Sequence, residues 1–357
     1  MYINYLDLFS AEVGGEYGSA HQFVQEEYQA CLGSHPLCDS TVRIHFCRDR
    51  MNADDYVVRA PVSYDDRGVY LFDHARLKAR IDFDSIGAGT WTILCDPDFH
   101  PPFFAILLEY VAYLQALRRR RFLCHASGFV FDGKAILCAA GRNVGKTNTL
   151  LAFLYDGASY LADDWCLLDE KGAAYALPKR LHLFDYNFSS FPDLIHRVDS
   201  SLSPLWEFYS RVMNGEYQLP ADFVTELRDN LRTRVDPQRL FPTQVVPSVK
   251  RLDNVFFLTR NVRNPERGIY TQTLERATLV ERLMAITSFE QKPFRLAYSL
   301  HKARTGRPNP FLEKEADCLR SLMDGCFSKT PLFEIFTPGQ AHSKEVKARI
   351  QEIVRRG

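Results

Sequence analysis

The chain carries no net charge to speak of: 44 lysines and arginines are matched by 44 aspartates and glutamates over 357 residues. Nothing in that balance favours a polyanion such as nucleic acid, or an anionic membrane surface. No apolar run is long enough to span a bilayer. The longest, Phe103 to Leu117, is interrupted by Glu109 and Gln115 and reads as a core helix. The nine cysteines include no CxxC pair. Several, such as Cys138 and Cys166, lie inside apolar runs, where cysteine behaves as a small buried hydrophobe. Cys31, His35, Cys38, His45 and Cys47 form the densest ligand-type cluster, but their spacings match no common structural zinc pattern. The first residues, Met-Tyr-Ile-Asn-Tyr-Leu-Asp, lack the basic start, apolar core and small-residue cleavage site of a secretory signal. A cytoplasmic protein is the expectation. An internal repeat of about 20 to 50 residues is missing, as is a Pro-rich or Ser-rich linker, so the parts of the chain should be in close contact. With 46% hydrophobic residues, 357 residues suffice for one large core or two modest ones, and two lobes are expected.

What is present concentrates around residue 145. Lys134 to Ala139 is a short apolar run of strand length, and Thr147 to Tyr155 carries Leu150, Leu151 and Leu154 at helical spacing before Gly157. Between them lies Ala140-Gly141-Arg142-Asn143-Val144-Gly145-Lys146-Thr147. A loop between a strand and a helix can turn its backbone N–H groups onto phosphate oxygens at the helix N-terminus. Lys146 would neutralise the outer phosphates and the Thr147 hydroxyl would ligate magnesium. Gly141 through Asn148 are therefore the nucleotide-binding candidates. Ala140 stands where the first glycine of such loops is usual. Asn143 is among the few side chains that tolerate left-handed backbone angles.

A second strand candidate, Ala158 to Ala162, delivers Asp163 and Asp164 at its C-terminal end, where ligands of open α/β sheets collect. Side chains alternate along a strand, so one carboxylate could face a metal while the other turns toward an acceptor hydroxyl. Paired aspartates also occur in solvated turns. Asp132-Gly133, between Phe129-Val-Phe131 and the next strand, signals a hairpin. That hairpin would set His125 on a strand beside the loop, where an imidazole could donate to a phosphoryl oxygen or assist proton transfer.

In order and separation, His125-Ala-Ser-Gly-Phe-Val-Phe-Asp-Gly-Lys-Ala-Ile-Leu137, Gly145-Lys-Thr147 and Gly157-Ala-Ser-Tyr-Leu-Ala-Asp-Asp164 resemble the HPr kinase/phosphorylase family, whose nucleotide fold is shared with phosphoenolpyruvate carboxykinases. The resemblance is dense over residues 122 to 190. It implies that Lys146 and Thr147 hold phosphate and magnesium, Asp163 supports the metal, Asp164 is the catalytic base and His125 faces the reacting phosphate. Asn148 stands where HPr kinases carry an acid, the loop lacks two of their glycines, and their C-terminal arginine and glycine signature is not found. The pattern is thus closer to the broad set of HPr-kinase-related proteins, some of which phosphorylate a serine in a peptide or a small molecule.

Elsewhere, Arg118 to Arg121 suit a helix C-terminus and its negative dipole end, or could grip an anionic partner. Residues 1 to 100 read as a β-rich lobe with strand candidates Thr41–Phe46, 56–59, Val69–Phe72 and Thr90–Leu94. After Pro178, Lys179, Arg180 and His182 lie on a strand candidate, 181–184, expected at the same sheet edge as the acids. A guanidinium at Arg180 is suited to a phosphoryl group in flight, and a snorkelling surface pair is the other reading. Residues 195 to 245 look like a helical insertion, with Trp206, Phe208, Tyr209, Val212 and Met213, then Phe223, Leu227 and Leu231, at helical spacing. Such an insertion can form core, lid or acceptor pocket. Strands at Asp253–Leu258 and Leu332–Phe336, a helix at 276 to 289 and a last basic helix follow.

The fold expected is α/β: a P-loop kinase core of HPr kinase/phosphoenolpyruvate carboxykinase type at 101–357, with an N-terminal lobe at 1–100 and the helical insertion. The activity expected is magnesium- and ATP-dependent transfer of the γ-phosphate to a hydroxyl of a peptide, protein or small molecule. Homo-oligomers are a further expectation from the resemblance. The other reading is a nucleotide-binding regulatory module that transfers nothing.

Overall fold

The computed structural model describes residues 1–38, 41–48, 62–65, 68–72, 78–87, 90–177, 179–241, 249–261, 265–338 and 343–356. The strand candidate 56–59 and Pro178 lie outside them. By Cα proximity the chain divides into two compact units. One comprises Met1–Cys124, Leu167–Gly172 and Arg276–Lys329, the other His125–Cys166, Ala173–Glu275 and Thr330–Gly357. The units are discontinuous, where the sequence suggested a division at residue 100. The helix Pro101–Arg118 and the helices Arg276–Glu290, Lys292–Thr305 and Glu315–Cys326 belong with the first unit.

In the first unit, strands Phe9–Gly15, Thr41–Phe46 and Trp91–Cys95 run parallel, and Tyr2–Tyr5 and Lys78–Ile81 join antiparallel. Alternate residues Val42, Ile44 and Phe46 are buried, the period-two pattern of a strand facing a core. The helix Pro101–Arg118 starts on prolines, whose fixed φ suits a first turn, and its residues from Leu107 to Leu117 are buried apart from the half-buried Glu109. Its arginine run is used within the unit: Arg119 donates to the Leu8 carbonyl at 3.1 Å, Arg120 pairs with Glu170 and Arg121 with Asp7. Among the described residues no helix is long and apolar enough to cross a membrane.

The second unit is a mixed α/β body. Its strands are β1 (Ala126–Phe131), β2 (Lys134–Ala139), β3 (Ser159–Ala162), β4 (Ala173–Tyr175), β5 (Leu181–Leu183), β6 (Thr233–Val235), β7 (Lys250–Arg260), β8 (Tyr270–Thr273) and β9 (Leu332–Thr337). Its helices are α1 (Lys146–Leu154), α2 (Asp185–Ser190), α3 (Leu194–Val198), α4 (Ser203–Met213), α5 (Ala221–Leu231), α6 (Pro237–Leu240) and α7 (Ser343–Arg356). Strands β2, β7 and β9 run parallel side by side, while β1 is antiparallel to both β2 and β3. One sheet face is covered by α1 and α7: Leu150, Leu151 and Phe153 with Val346, Ile350 and Val354 share a core with Phe129, Ile136, Phe256 and Ile335. The 3.6-residue spacing of Val346, Ile350 and Val354 makes an otherwise charged helix dock by one stripe.

Two features depart from the sequence reading. Strand β5 does not join the main sheet; it pairs antiparallel with β6, a strand inside the expected helical insertion, as a separate ribbon. Within that insertion α4 and α5 pack on each other through Tyr209, Leu227 and Leu231, with Trp206 reaching the main core, whereas Met213 and Phe223 point to solvent.

Candidate active site

The hairpin Asp132-Gly133 sets the register on which the site is built. Both residues have left-handed φ, 48° and 76°, the two-residue turn that matches strand twist. Phe131 therefore faces Lys134, and Ala126 faces Ala139 at the far end. His125, one residue before β1, thus stands beside Ala140, one residue after β2. Its Nδ1 lies 3.1 Å from the Ala140 carbonyl. A carbonyl can only accept, so Nδ1–H donates and Nε2 carries the lone pair of the neutral ring. The ring is buried, 7% exposed, against Trp165 at 5.2 Å between centroids.

The loop from Ala140 turns on two left-handed residues, Asn143 at φ 57° and Gly145 at φ 109°. Ala140 is fully buried in the core with Cys138 and Leu150, so the methyl group that replaces a glycine hydrogen packs inward. Helix α1 opens directly after Gly145 with no side-chain cap, leaving first-turn N–H groups for an anion. Lys146, 6% exposed, folds back: its Nζ donates to the carbonyls of Gly141 at 3.0 Å and Ala140 at 3.4 Å. Arg142 is exposed and Val144 half-buried. From the end of β7, Arg260 Nη2 donates to the Asn143 carbonyl at 2.6 Å and braces the loop from outside.

Asp163 joins this loop to β3. Thr147 Oγ1 donates to its Oδ2 at 3.0 Å, and the buried Ser127 hydroxyl donates to its Oδ1. The carboxyl is 3% exposed, and burial first, then the neighbouring Asp164 charge, push it up to about 6. Asp164 follows in left-handed conformation, φ 61°, with its carbonyl accepting from Ala126 N–H at 3.1 Å. Trp165 N–H donates to the Asp163 carbonyl at 2.7 Å, so the strand ends in a tight turn that separates the two carboxylates. Burial alone would raise Asp164 as well. The groups around it, the Lys179 ammonium first and then Lys146, with the His125 and His182 rings after them, outweigh burial and hold it below the usual carboxylate range. As pH falls, Asp163 is therefore the member of the pair that protonates first, and Asp164 is the one that stays ionised.

Several of these partners were not singled out in the sequence. Ser127 is one, because nothing local marks a serine on β1 as the partner of an acid 36 residues on. Lys179 and His182 act on Asp164, while Arg180, half-buried at the head of β5, is not among the principal charges that do. Leu177 N–H donates to the Leu161 carbonyl at 3.1 Å and Tyr160 OH to the Lys179 carbonyl at 3.4 Å, which lash the segment to β3. Asn148 is committed to the fold. Its Nδ2 donates to Ser190 Oγ at 3.0 Å and its Oδ1 accepts from the fully buried Asn187 at 2.6 Å, tying α1 to α2. Tyr186, on α2, is held protonated by burial and by Asp164, Asp163 and Asp185.

Among the described residues no three His, Cys, Asp or Glu side chains gather as an all-protein metal site. Thr147 and Asp163 offer two oxygens, a set that fits magnesium, which takes most of its ligands from phosphates and water.

No protein-family model matches the chain, and no curated protein matches it in sequence. Among solved structures, the HPr(Ser) kinase/phosphatase from Coxiella burnetii aligns with 66% of this chain and 99% of its own length, at 11% identity and a TM-score of 0.29. So loose a superposition transfers no residue role.

Proposed function

We propose that the second unit binds a nucleoside triphosphate on the loop 140–148 and transfers its terminal phosphoryl group to a hydroxyl. The observation that carries this reading is the 3.0 Å bond from Thr147 to Asp163, which gathers an open helix N-terminus, a lysine and two unlike carboxyls at one point. Lys146 exchanges its two loop carbonyls for phosphate oxygens, a stronger charge-assisted pairing. Thr147 and Asp163 would hold a magnesium ion, which when bound would supply charge neutralisation on the phosphates. Asp164, kept ionised, accepts the acceptor's hydroxyl proton as that oxygen bonds to phosphorus and the nucleoside diphosphate departs. His125 keeps Nε2 available for a phosphoryl oxygen when protonated, while its Nδ1–H fixes it to the loop.

The left-handed turn at Asp164 supports this assignment, since a non-glycine residue held there costs energy and such positions cluster at functional sites. The test is Asp164→Asn. Transfer of labelled γ-phosphate to an acceptor panel should fall by about 10² to 10⁴, with nucleotide affinity by calorimetry within about two-fold. An Asn variant that transfers like the wild type removes Asp164 from the role of base. Binding of nucleotide without turnover by the wild type, over a wide panel of hydroxyl acceptors, would instead support the regulatory reading, under which Asn148 is purely structural and Asp164 has no proton to accept.

A further inference from the structure

We infer that the β5–β6 ribbon and Lys179 form an anion-recognising acceptor subsite, and that the acceptor is a small hydroxyl compound bearing its own carboxylate or phosphate. This rests on the phosphotransfer reading for the identity of Asp164 as base, and adds what that base acts upon.

Three observations carry it. First, the chain ties a cation, Lys179, to the strand that leads into Asp164, and the donor phosphates do not require it. The donor side already has Lys146 and the α1 N-terminus. Lys179 and His182 belong to a different stretch, tied to β3, the strand that leads into Asp163 and Asp164, by the Leu177 N–H on the Leu161 carbonyl and the Tyr160 hydroxyl on the Lys179 carbonyl. Second, the ribbon adds a further cation at a fixed position: His182 is the direct Cα partner of Arg234 across the antiparallel pair. Residues facing each other in such a ladder have Cβ atoms about 5 Å apart, so the guanidinium and the neutral imidazole, which can donate one N–H, present one compact anion-binding spot rather than a track for a polymer. Lys179, His182 and Arg234 are all half-buried, unlike the exposed side chains of a solvated face. Third, an aromatic shelf adjoins them. The His182 and Phe184 rings are 4.3 Å apart, Phe184 stacks on Tyr186 at 5.4 Å, and the Arg232 guanidinium lies 5.6 Å over Phe184. A single carboxylate or phosphate on the acceptor would bind at Lys179, His182 and Arg234, and would hold the adjoining hydroxyl toward Asp164.

The experiment titrates D-glycerate, sn-glycerol 3-phosphate and their neutral congener glycerol into the full chain saturated with magnesium ADP, read by calorimetry and by the His182 ring resonances. At least one of the two anions should bind and shift His182, and glycerol should not. Lys179→Ala and Arg234→Ala should each weaken that anion by at least about ten-fold, and Arg234→Lys should recover part of the loss. Unchanged thermal midpoints would show that the variants fold. Failure of both anions to bind, equal binding of glycerol, or indifference to both substitutions overturns the proposal. So does tight binding of an acidic serine peptide in the absence of binding by the small anions. Magnesium ADP titrated alone reports on the nucleotide reading separately, and the anion titration is repeated without it, so the two readings fail independently.

Discussion

Thr147 Oγ1 and Asp163 Oδ2 lie 3.0 Å apart, and the hydroxyl donates to the carboxyl. This bond joins the first turn of α1 to the end of β3. With Ser127 on the other oxygen, the buried carboxyl has a hydroxyl donor on each side before any ligand arrives. The donor loop and the acids are thereby held together by the protein itself, not assembled by the substrate.

Ser127→Ala should show what the second hydroxyl contributes. It leaves one oxygen of a carboxyl that is 3% exposed without its donor, a loss of about 1 to 3 kcal/mol. The urea midpoint should fall with an unchanged slope. An unchanged midpoint would mean that water replaces the hydroxyl and that the site is wetter than its burial indicates.

The pH dependence has a defined direction at His182. Burial, and then the Arg234 charge, hold its imidazole down at about 4, against an ordinary 6.5. The unfolded chain takes up a proton between those values that the folded chain refuses. Stability is therefore complete above about pH 6.5 and declines as pH falls toward 4, by at most about 3 kcal/mol for this group. Nuclear magnetic resonance titration of the His182 ring checks the premise, and His182→Asn should flatten that part of the stability profile. An ordinary midpoint near 6.5 for the ring would sink the argument.

The Asn148 and Asn187 pair separates structure from chemistry. Asn187→Leu removes the donor to Asn148 and the acceptor for Phe184 N–H, both in a fully buried position, and should cost about 2 to 4 kcal/mol. Asn148→Asp keeps the oxygen that accepts from Asn187, and Ser190 can turn its hydroxyl to donate. It should cost less than about 1 kcal/mol. Equal losses in the two variants, measured by denaturant unfolding, would refute the network as described.

Two loop glycines should answer differently to alanine. At Gly145 a Cβ meets no neighbour within 4 Å, but φ is 109°, so Gly145→Ala should destabilise by about 1 to 2 kcal/mol. Gly141 also has open space and carries no positive φ. Gly141→Ala should leave stability within about 0.5 kcal/mol and lower nucleotide affinity, because the added methyl occupies room that a phosphate would use. Wild-type affinity in that variant would show that phosphate does not approach the backbone there.

The local parts of this site were legible in the sequence. Asp132-Gly133 announced the hairpin, the apolar run and leucine spacing announced β2 and α1, and Asn143 was singled out for the left-handed angle it adopts. What depends on distant pairing was not. Strand β6 is only three residues long, sits among helices and has no partner nearby in sequence, so nothing local marks it or places β5 on a ribbon of its own. The order Lys179, Arg180, His182 was visible, but which of them turns to Asp164 depends on how Leu177 and Lys179 are lashed to β3. Likewise, no periodicity tells that residues 276–329 cluster with the N-terminal unit, since that grouping spans some of the longest separations in the chain.

The ribbon also bears on how such a protein could diversify. Thr233–Val235 lies within a segment of helices that contributes no residue to the loop 140–148, yet it sets Arg234 opposite His182. Insertions, deletions or exchanges in residues 195 to 232 can shift that strand by a residue or two and carry a different side chain to the same spot. On the proposed acceptor reading, related chains would exchange one acceptor for another by changes in this stretch while keeping the loop 140–148 intact.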